Sequence, residues 1–125
     1  MAAARELFYQ QGIRAVGVDA IAEAALTNKM TLYRHFGSKD ELVVAYLQSL
    51  AAESDARWQA LEAAHPADFS ARLEAWLSYV QEVVSDHGKR GCAMANAAVE
   101  LPESDHPARR VIDDYKTRKR TQLVE

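Results

Sequence analysis

The side chains best suited to chemistry in this sequence lie close together between Asn28 and Lys39. Lys29, Arg34 and Lys39 are fixed cations, His35 adds a titratable ring, and no acidic residue stands among them. Apolar and aromatic residues alternate with these groups, a pattern that can anchor a short helix on a core. A helix that is held rigidly and carries cations on its outer face is suited to contact with phosphate groups.

Two short helices joined by a tight turn are predicted to position these groups. Apolar residues recur at helical spacing over residues 18–25, which predicts an amphipathic helix. Thr27 or Asn28 can cap a second helix over residues 29–35 by accepting a backbone N–H bond. Two helices at this spacing favour a helix-turn-helix, in which the second helix enters the major groove.

The rest of the chain is also predicted to be helical, so the expected fold class is all-α. Ser38 and Glu41 form a capping box that should begin a long helix, ending near residue 54 and followed by a further helical piece to about residue 65. Other helices are predicted over residues 2–11, 68–86 and 92–101, and from Pro107 to the chain end. His87 and Gly88 should end the helix over residues 68–86.

Composition limits the class of protein. The net charge is −3, which argues against a protein that coats nucleic acid non-specifically. Within residues 1–50, the number of fixed cations equals the number of carboxylates. No apolar run could span a bilayer, no signal peptide is evident, and one cysteine fits a reducing compartment, so we expect a cytoplasmic protein. The sequence has no nucleophile–base pair, phosphate loop or metal-ligand spacing. We therefore expect neither an enzyme nor a cofactor.

Three motifs resemble the DNA-binding domain of the tetracycline-repressor (TetR) family. They are Val18-Asp19-Ala20-Ile21-Ala22-Glu23-Ala24-Ala25, Thr31-Leu32-Tyr33-Arg34-His35-Phe36 and Ser38-Lys39-Asp40-Glu41-Leu42. The resemblance implies a three-helix helix-turn-helix domain over residues 1–47 and a helical ligand-binding and dimerisation domain over residues 48–125. It further implies a repressor that binds double-stranded operator DNA as a homodimer and responds to an unknown small-molecule effector.

The resemblance also implies roles for single residues at the recognition helix. Lys29, Met30 and Thr31 occupy its start and would read base edges, although Met30 could instead fill a gap in the core. Tyr33 would donate to a phosphate or serve as a core tyrosine, and His35 would donate to a phosphate or pair with a carbonyl.

The start of the long helix should provide another phosphate contact. Lys39 lies in its first turn, where a cation opposes the helix dipole. A phosphate bound there would explain that placement, and a solvated lysine is the alternative.

Two positions depart from the family pattern. Most members have Ser or Thr where this chain has Gly17, so a phosphate contact there would have to come from the backbone amide. The turn usually carries glycine where this chain has Leu26, which requires a different or a strained turn.

The second unit offers five candidates for an effector pocket, namely Trp58, Trp76, Tyr79, Cys92 and Asn96. Packing is the alternative for each, and it is favoured for Trp76, which lies on an apolar helical stripe. Cys92 could sense redox state, although a lone cysteine is more often a small buried hydrophobe. A buried Asn96 amide would need partners, which a ligand or a neighbouring backbone could supply.

The chain is short for the family, and a partial chain is expected. This leaves a second hypothesis open, a helical protein–protein module that forms heterodimers with related regulators and blocks their binding to DNA.

Overall fold

A computed structural model describes residues 1–86, 90–102 and 105–124. The described residues form seven helices and no strands, which confirms the all-α prediction. The helices are α1 (Ala2–Gln11), α2 (Val18–Ala24), α3 (Lys29–Phe36), α4 (Lys39–Ala64), α5 (Phe69–Ser85), α6 (Ala93–Glu100) and α7 (Pro107–Val124). The predicted stop of α5 at residues 87 and 88 lies outside the described residues.

Helix α4 is one continuous helix of 26 residues, whereas the sequence predicted a break near residue 54. No glycine or proline occurs between Lys39 and Ala64, so nothing in the backbone chemistry interrupts it. Ser38 caps its start, because the Ser38 hydroxyl accepts the N–H of Glu41 at 3.1 Å. Half of the predicted capping box is therefore observed as a hydrogen bond.

A single apolar core joins the start of α4 to helices from both parts of the chain. Leu42, Val43, Tyr46 and Leu47 of α4 are all buried in it. Side chains from α1, α2, α6 and α7 complete it, and they include Phe8, Ile21, Met94 and Ile112. The predicted division at residue 47 thus falls within a helix whose core is shared.

Helix α5 departs from expectation in its burial. It was predicted to be strongly amphipathic, yet its one buried residue is Arg72, while Leu77 and Val84 are exposed. Helix α5 packs mainly on α4, so its apolar stripe is only partly covered by the described residues. The Arg72 guanidinium instead closes the α4–α5 turn by donating to the carbonyl oxygen of His65 at 2.8 Å.

Polar contacts fasten α6 to the end of α1. The Glu100 carboxylate accepts the N–H groups of Ile13 and Arg14 at 2.8 and 3.3 Å. Arg90 donates to the carbonyl oxygens of Tyr9 and Gln10, at 3.3 and 2.9 Å. The Arg90 contacts satisfy carbonyl groups that the C-terminal end of α1 leaves without partners. Together with the Glu100 bonds, they tie the second part of the chain to the helix that supports α2 and α3.

Candidate nucleic-acid interface

Helix α3 lies on the surface with most of its side chains in solvent. Its first turn is capped by Asn28, whose side-chain oxygen accepts the N–H of Thr31 at 2.9 Å, which was one of the two predicted caps. Leu32 and Phe36 pack against the core and hold the helix in place. None of the eight residues of α3, all of them described, is fully buried. The helix therefore presents a continuous outer face.

The turn before α3 is strained at Leu26. Its φ of 57° places Leu26 in the left-handed region, where a residue with a Cβ atom costs about 1–2 kcal/mol. Its side chain is 94% exposed, so no packing offsets that cost. The turn is held by backbone bonds from Leu26 to Glu23 and from Thr27 to Ala22, at 3.1 and 3.0 Å. The sequence predicted either a different turn or a strained one at Leu26, and the structure has the strained turn.

The three residues predicted to read bases share the exposed start of α3. Met30 is 72% exposed, so it fills no gap in the core, and Thr31 is exposed beside it. The Lys29 ammonium lies 3.9 Å from Oδ1 of Asp19 and 6.0 Å from the centre of the Tyr33 ring. An ion pair this exposed and this long contributes little, so Lys29 can turn toward another partner.

The predicted phosphate contacts lie at the other end of α3 and at the start of α4. Tyr33 is 40% exposed, so it is not a core tyrosine. The His35 ring makes an edge contact with Phe36 at 5.5 Å, and no described carbonyl accepts a hydrogen bond from it. Lys39 is half-buried in the first turn of α4, next to the Ser38 cap.

Gly17 caps α2 with its backbone alone. Its φ is −91°, an extended conformation that any residue adopts, and no side chain bonds the first turn of α2. A Cβ atom added at Gly17 would meet no atom within 4 Å. The backbone at Gly17 therefore has the conformation of a helix cap, and there is space for the Ser or Thr side chain that the family pattern has at this position.

The structure brings two of the five predicted pocket residues, Trp58 and Trp76, together and places Asn96 at a different site. Trp58 and Trp76 lie beside the Lys119 ammonium, at 5.6 and 5.7 Å from the ring centres. The Tyr79 ring stacks on Arg57 at 3.8 Å. Asn96 lines a different, open cavity between α1 and α6, where its amide donates to the carbonyl oxygen of Arg90 at 2.9 Å.

Cys92 is exposed at the start of α6. The alternative to a redox role, a small buried hydrophobe, is therefore wrong.

Two residues that the sequence reading did not select complete the surroundings of the tryptophans. Tyr115 and Lys119 lie one turn apart on α7, and the ammonium is 5.8 Å from the Tyr115 ring centre. We call Trp58, Trp76, Tyr115 and Lys119 the Lys119 cluster. The spacing of Tyr115 and Lys119 was visible in the sequence, but their approach to Trp58 requires the packing of α7 on α4.

The described residues offer little to other kinds of site. They contain no group of three or more His, Cys, Asp or Glu side chains placed to hold a metal ion. Among the described helices, none combines the length and the apolar composition needed to cross a membrane.

Comparisons with known proteins agree on one family. Residues 1–46 match the family described as bacterial regulatory proteins, tetR family. The HTH-type transcriptional activator FasR of Mycolicibacterium smegmatis is 50% identical over 46 residues, which cover 37% of this chain and 21% of FasR.

Two solved structures resemble most of the described fold. A TetR-family transcriptional regulator from Streptomyces coelicolor superposes with a TM-score of 0.84 at 34% identity, over 93% of this chain and 61% of that one. A TetR-type regulator from Streptomyces avermitilis gives 0.82 at 30% identity, over 97% of this chain and 65% of that one. The chain thus spans less than two thirds of the length of these solved relatives.

Proposed function

Because the chain belongs to the TetR family of bacterial regulatory proteins and carries its DNA-binding domain, we propose that it binds a palindromic operator as a homodimer and represses transcription until an effector releases it from the DNA. The exposed face of α3 is the observation that carries this proposal. Cationic, polar and apolar side chains stand there on a helix fixed by the Asn28 cap and by Leu32 and Phe36.

The start of α3 enters the major groove in the proposed complex. Lys29 would pair with guanine O6 and N7, Thr31 would bond a base edge, and Met30 would contact a thymine methyl group. The exposure of all three side chains supports these roles, since each can reach a base without any rearrangement of the core.

Phosphate groups on either side of the groove would fix the position of α3. Tyr33 and His35 would donate to one strand, while Lys39 and the amides at the start of α4 would meet another phosphate. Gly17 would contribute its backbone N–H at the start of α2. Because residues 1–50 carry no net charge, affinity would depend on these local contacts more than on a general basic surface.

A homodimer would match the two-fold symmetry of a palindromic operator. Two copies of α3 must lie about one DNA turn apart, roughly 34 Å, to read two half-sites. An effector that changed this separation by a few ångströms would break the phosphate contacts of both copies. DNA and effector would then weaken each other's binding by the same factor.

The route for this coupling would run through the contacts that join the two parts of the chain. Glu100 and Arg90 hold the end of α1, and His106 reaches the start of α4. A shift of α6 or α7 would therefore act on the helices that support α3.

Repression is proposed because a protein bound at an operator excludes polymerase by occupying the DNA. It needs no additional surface that contacts polymerase. FasR, whose similarity covers only the DNA-binding unit, is named an activator. A reporter gene placed behind the bound site decides the direction. Expression that rises when this chain is removed supports repression, and expression that falls contradicts it.

Operator binding provides the direct test. Genomic fragments retained by the immobilised chain would be sequenced, and the recovered site used in fluorescence anisotropy. Tyr33→Phe combined with Lys39→Ala should weaken binding at least about tenfold and reduce the salt slope by about 1. Lys116→Ala, an exposed position on α7, is the matched control.

Three outcomes would count against parts of the proposal. Unchanged affinity in the double variant would exclude the phosphate roles, and one chain per recovered site would exclude the homodimer. A chain without any salt-dependent DNA affinity would instead favour a protein–protein module.

A further inference from the structure

A cavity of about 180 Å³ lies where the end of α1 meets α6, away from the outer face of α3. Small residues line it and leave the space open. Ala93 and Ala97 stand four positions apart on one face of α6, and Gly12 follows α1 without a side chain. An apolar cavity of roughly 150 Å³ is enough to hold benzene. The cavity at α1 and α6 therefore has room for a six-membered ring that carries one oxygen atom.

The Tyr46 hydroxyl opens into this cavity without a hydrogen-bond partner. Tyr46 lines the cavity from α4 and is 2% exposed, and its ring is fixed against Phe8 with the ring centres 5.2 Å apart. None of the described residues forms a hydrogen bond with the hydroxyl. The oxygen is nevertheless accessible from the cavity, since Nε of Arg72 is the one described buried side-chain atom that is both sealed and without a partner. A polar group in this position is stabilised by any ligand that bonds it.

The surroundings of Tyr46 fix what its hydroxyl can bind. Burial raises the pKa of Tyr46 to about 12, because the phenolate would lose its hydration. The hydroxyl therefore keeps its proton at neutral pH and acts as a donor. The group that it lacks is an acceptor, such as the oxygen of a carbonyl or of an alcohol.

The charges that line the cavity are already in use. The Glu100 carboxylate accepts two backbone N–H groups just after α1, and the Arg90 guanidinium donates to two carbonyl oxygens at the end of that helix. The two charges are opposite, and they are the only fixed charges among the residues that line the cavity, all of which are described. An ion that entered would lose its hydration without gaining a free counter-charge. The cavity therefore favours an uncharged ligand.

The other walls suit a compact apolar body beside a second polar group. Phe8, Ile13 and Ala97 are buried apolar residues that line the cavity. Asn96 lines it too, and its amide nitrogen donates to the carbonyl oxygen of Arg90 at 2.9 Å. That bond fixes the orientation of the amide and keeps the side-chain oxygen of Asn96 as an acceptor for a ligand hydroxyl.

We propose that the cavity between α1 and α6 binds a small uncharged compound that carries a carbonyl or hydroxyl oxygen on a compact apolar body. The oxygen would accept the hydrogen bond of the Tyr46 hydroxyl, and the apolar body would lie against Phe8 and Ile13. Such a ligand would contact α1, α4 and α6 at once and stabilise the junction of the two parts of the chain. Its binding does not rest on the proposed function.

A pair of compounds with one shape tests the hydrogen bond. Cyclohexanone has an acceptor oxygen where methylenecyclohexane has a carbon atom. Titration of each into the isotope-labelled chain, followed by the amide NMR shifts of α1 and α6, gives both affinities. Tyr46→Phe removes the hydroxyl alone. In that variant the affinity for cyclohexanone relative to methylenecyclohexane should fall about fivefold or more, as expected for one neutral hydrogen bond.

Two further variants supply the controls. Tyr79→Phe removes a hydroxyl on α5, outside the cavity, and should leave the ratio of affinities unchanged. Ala93→Leu fills part of the cavity and should weaken both compounds at least about tenfold. If Ala93→Leu proves unfolded by circular dichroism, Tyr46→Phe still decides. An unchanged ratio in Tyr46→Phe would overturn the proposal. So would a lack of amide shifts with cyclohexanone, which would mean that the cavity holds solvent only.

Stability and ligand charge test the two premises separately. Because the hydroxyl lacks a partner, Tyr46→Phe should unfold at the same temperature as the parent chain or at a higher one. A lower temperature would reveal a partner within the protein and contradict the proposal. Cyclohexylammonium and cyclohexanecarboxylate should bind at least about tenfold more weakly than cyclohexanone, since each would leave water without a counter-charge. Tighter binding of either ion would overturn the assignment to uncharged compounds.

Discussion

Nε2 of His106 lies 3.2 Å from Oδ1 of Asp40, and this contact joins the start of α7 to the first turn of α4. The other ring nitrogen, Nδ1, accepts the N–H of Ala108 at 3.0 Å and so caps α7. The two contacts together require a proton on Nε2 and a free lone pair on Nδ1. The His106 side chain therefore caps the start of α7 and also binds the first turn of α4, next to Lys39.

Replacement of His106 should reveal both roles. We expect His106→Ala to lower the free energy of unfolding by about 1–2 kcal/mol, since it removes a helix cap and a hydrogen bond to a carboxylate. His106→Asn can still cap α7 but cannot reach Asp40, so its loss should be smaller. Urea unfolding of both variants, with Asp40→Ala in a double-mutant cycle, separates the two contributions. A coupling energy near zero would mean that the His106–Asp40 contact is unimportant.

The strained turn predicts a stabilising substitution. Leu26→Gly should raise the free energy of unfolding by up to about 1 kcal/mol, because glycine adopts a positive φ without steric cost while gaining some flexibility when unfolded. Leu26→Ala keeps the Cβ atom and its strain, so it should give no comparable gain. Thermal unfolding of the two variants shows whether the backbone strain or the exposed side chain of Leu26 lowers the stability of the parent chain. Equal stability of both would argue against strain at this position.

Gly17 predicts a gain in both stability and DNA affinity. Gly17→Ser can accept an N–H of the first turn of α2 and should add a few tenths of a kcal/mol, because the backbone is already extended and the space is empty. Its hydroxyl should also add a phosphate contact and tighten operator binding several-fold. Gly17→Ala fills the same space without a cap, so it should be less stable than the parent. Anisotropy and thermal unfolding on the three chains test both effects.

The ion pair between Arg5 and Glu53 predicts a dependence of stability on pH. Two guanidinium–carboxylate bonds, at 2.5 and 2.9 Å, join α1 to α4 and hold the pKa of Glu53 below its ordinary value of 4.5. A depressed pKa contributes stability above the unfolded value, and this stability is lost as pH falls through the folded value. Its size is modest, because both side chains remain a third to a half exposed.

Glu53→Gln should therefore be less stable than the parent near neutral pH, and the difference should shrink as pH falls well below 4.5. Glu62→Gln, which alters an exposed carboxylate on the same helix, is the control and should show no such trend. Urea unfolding at neutral and acidic pH provides the measurement. A difference that stays constant with pH would contradict the assignment.

Local signals were readable from the sequence. The caps at Asn28 and Ser38 depend on residues three positions apart, so a linear pattern is enough to predict them. The strain at Leu26 was also foreseeable, because a residue with a Cβ atom occupies a turn that usually requires glycine. The bounds of α1 and the start of α3 and α4 follow from local signals for the same reason, whereas the continuity of α4 past residue 54 was not predicted.

Contacts between distant parts of the chain were not readable. His106 and Asp40, like Lys119 and Trp58, meet only after α7 has packed along α4. The apolar stripe of α5 was predicted correctly as a pattern, but its burial was not. Periodicity predicts that one face of a helix is apolar but does not show which element covers that face. The base and phosphate roles on α3 stay predictions, which operator binding will test.

Helix α4 has no hinge between its Ser38 cap and its end at Ala64. A helix of this length is a rod of roughly 39 Å, which transmits rotation without bending. A tilt of roughly 5° about its far end would carry Lys39 through roughly 3 Å, about the length of one hydrogen bond. In the proposed complex, a small displacement near Trp58 would therefore be enough to move Lys39 out of hydrogen-bond reach of a phosphate.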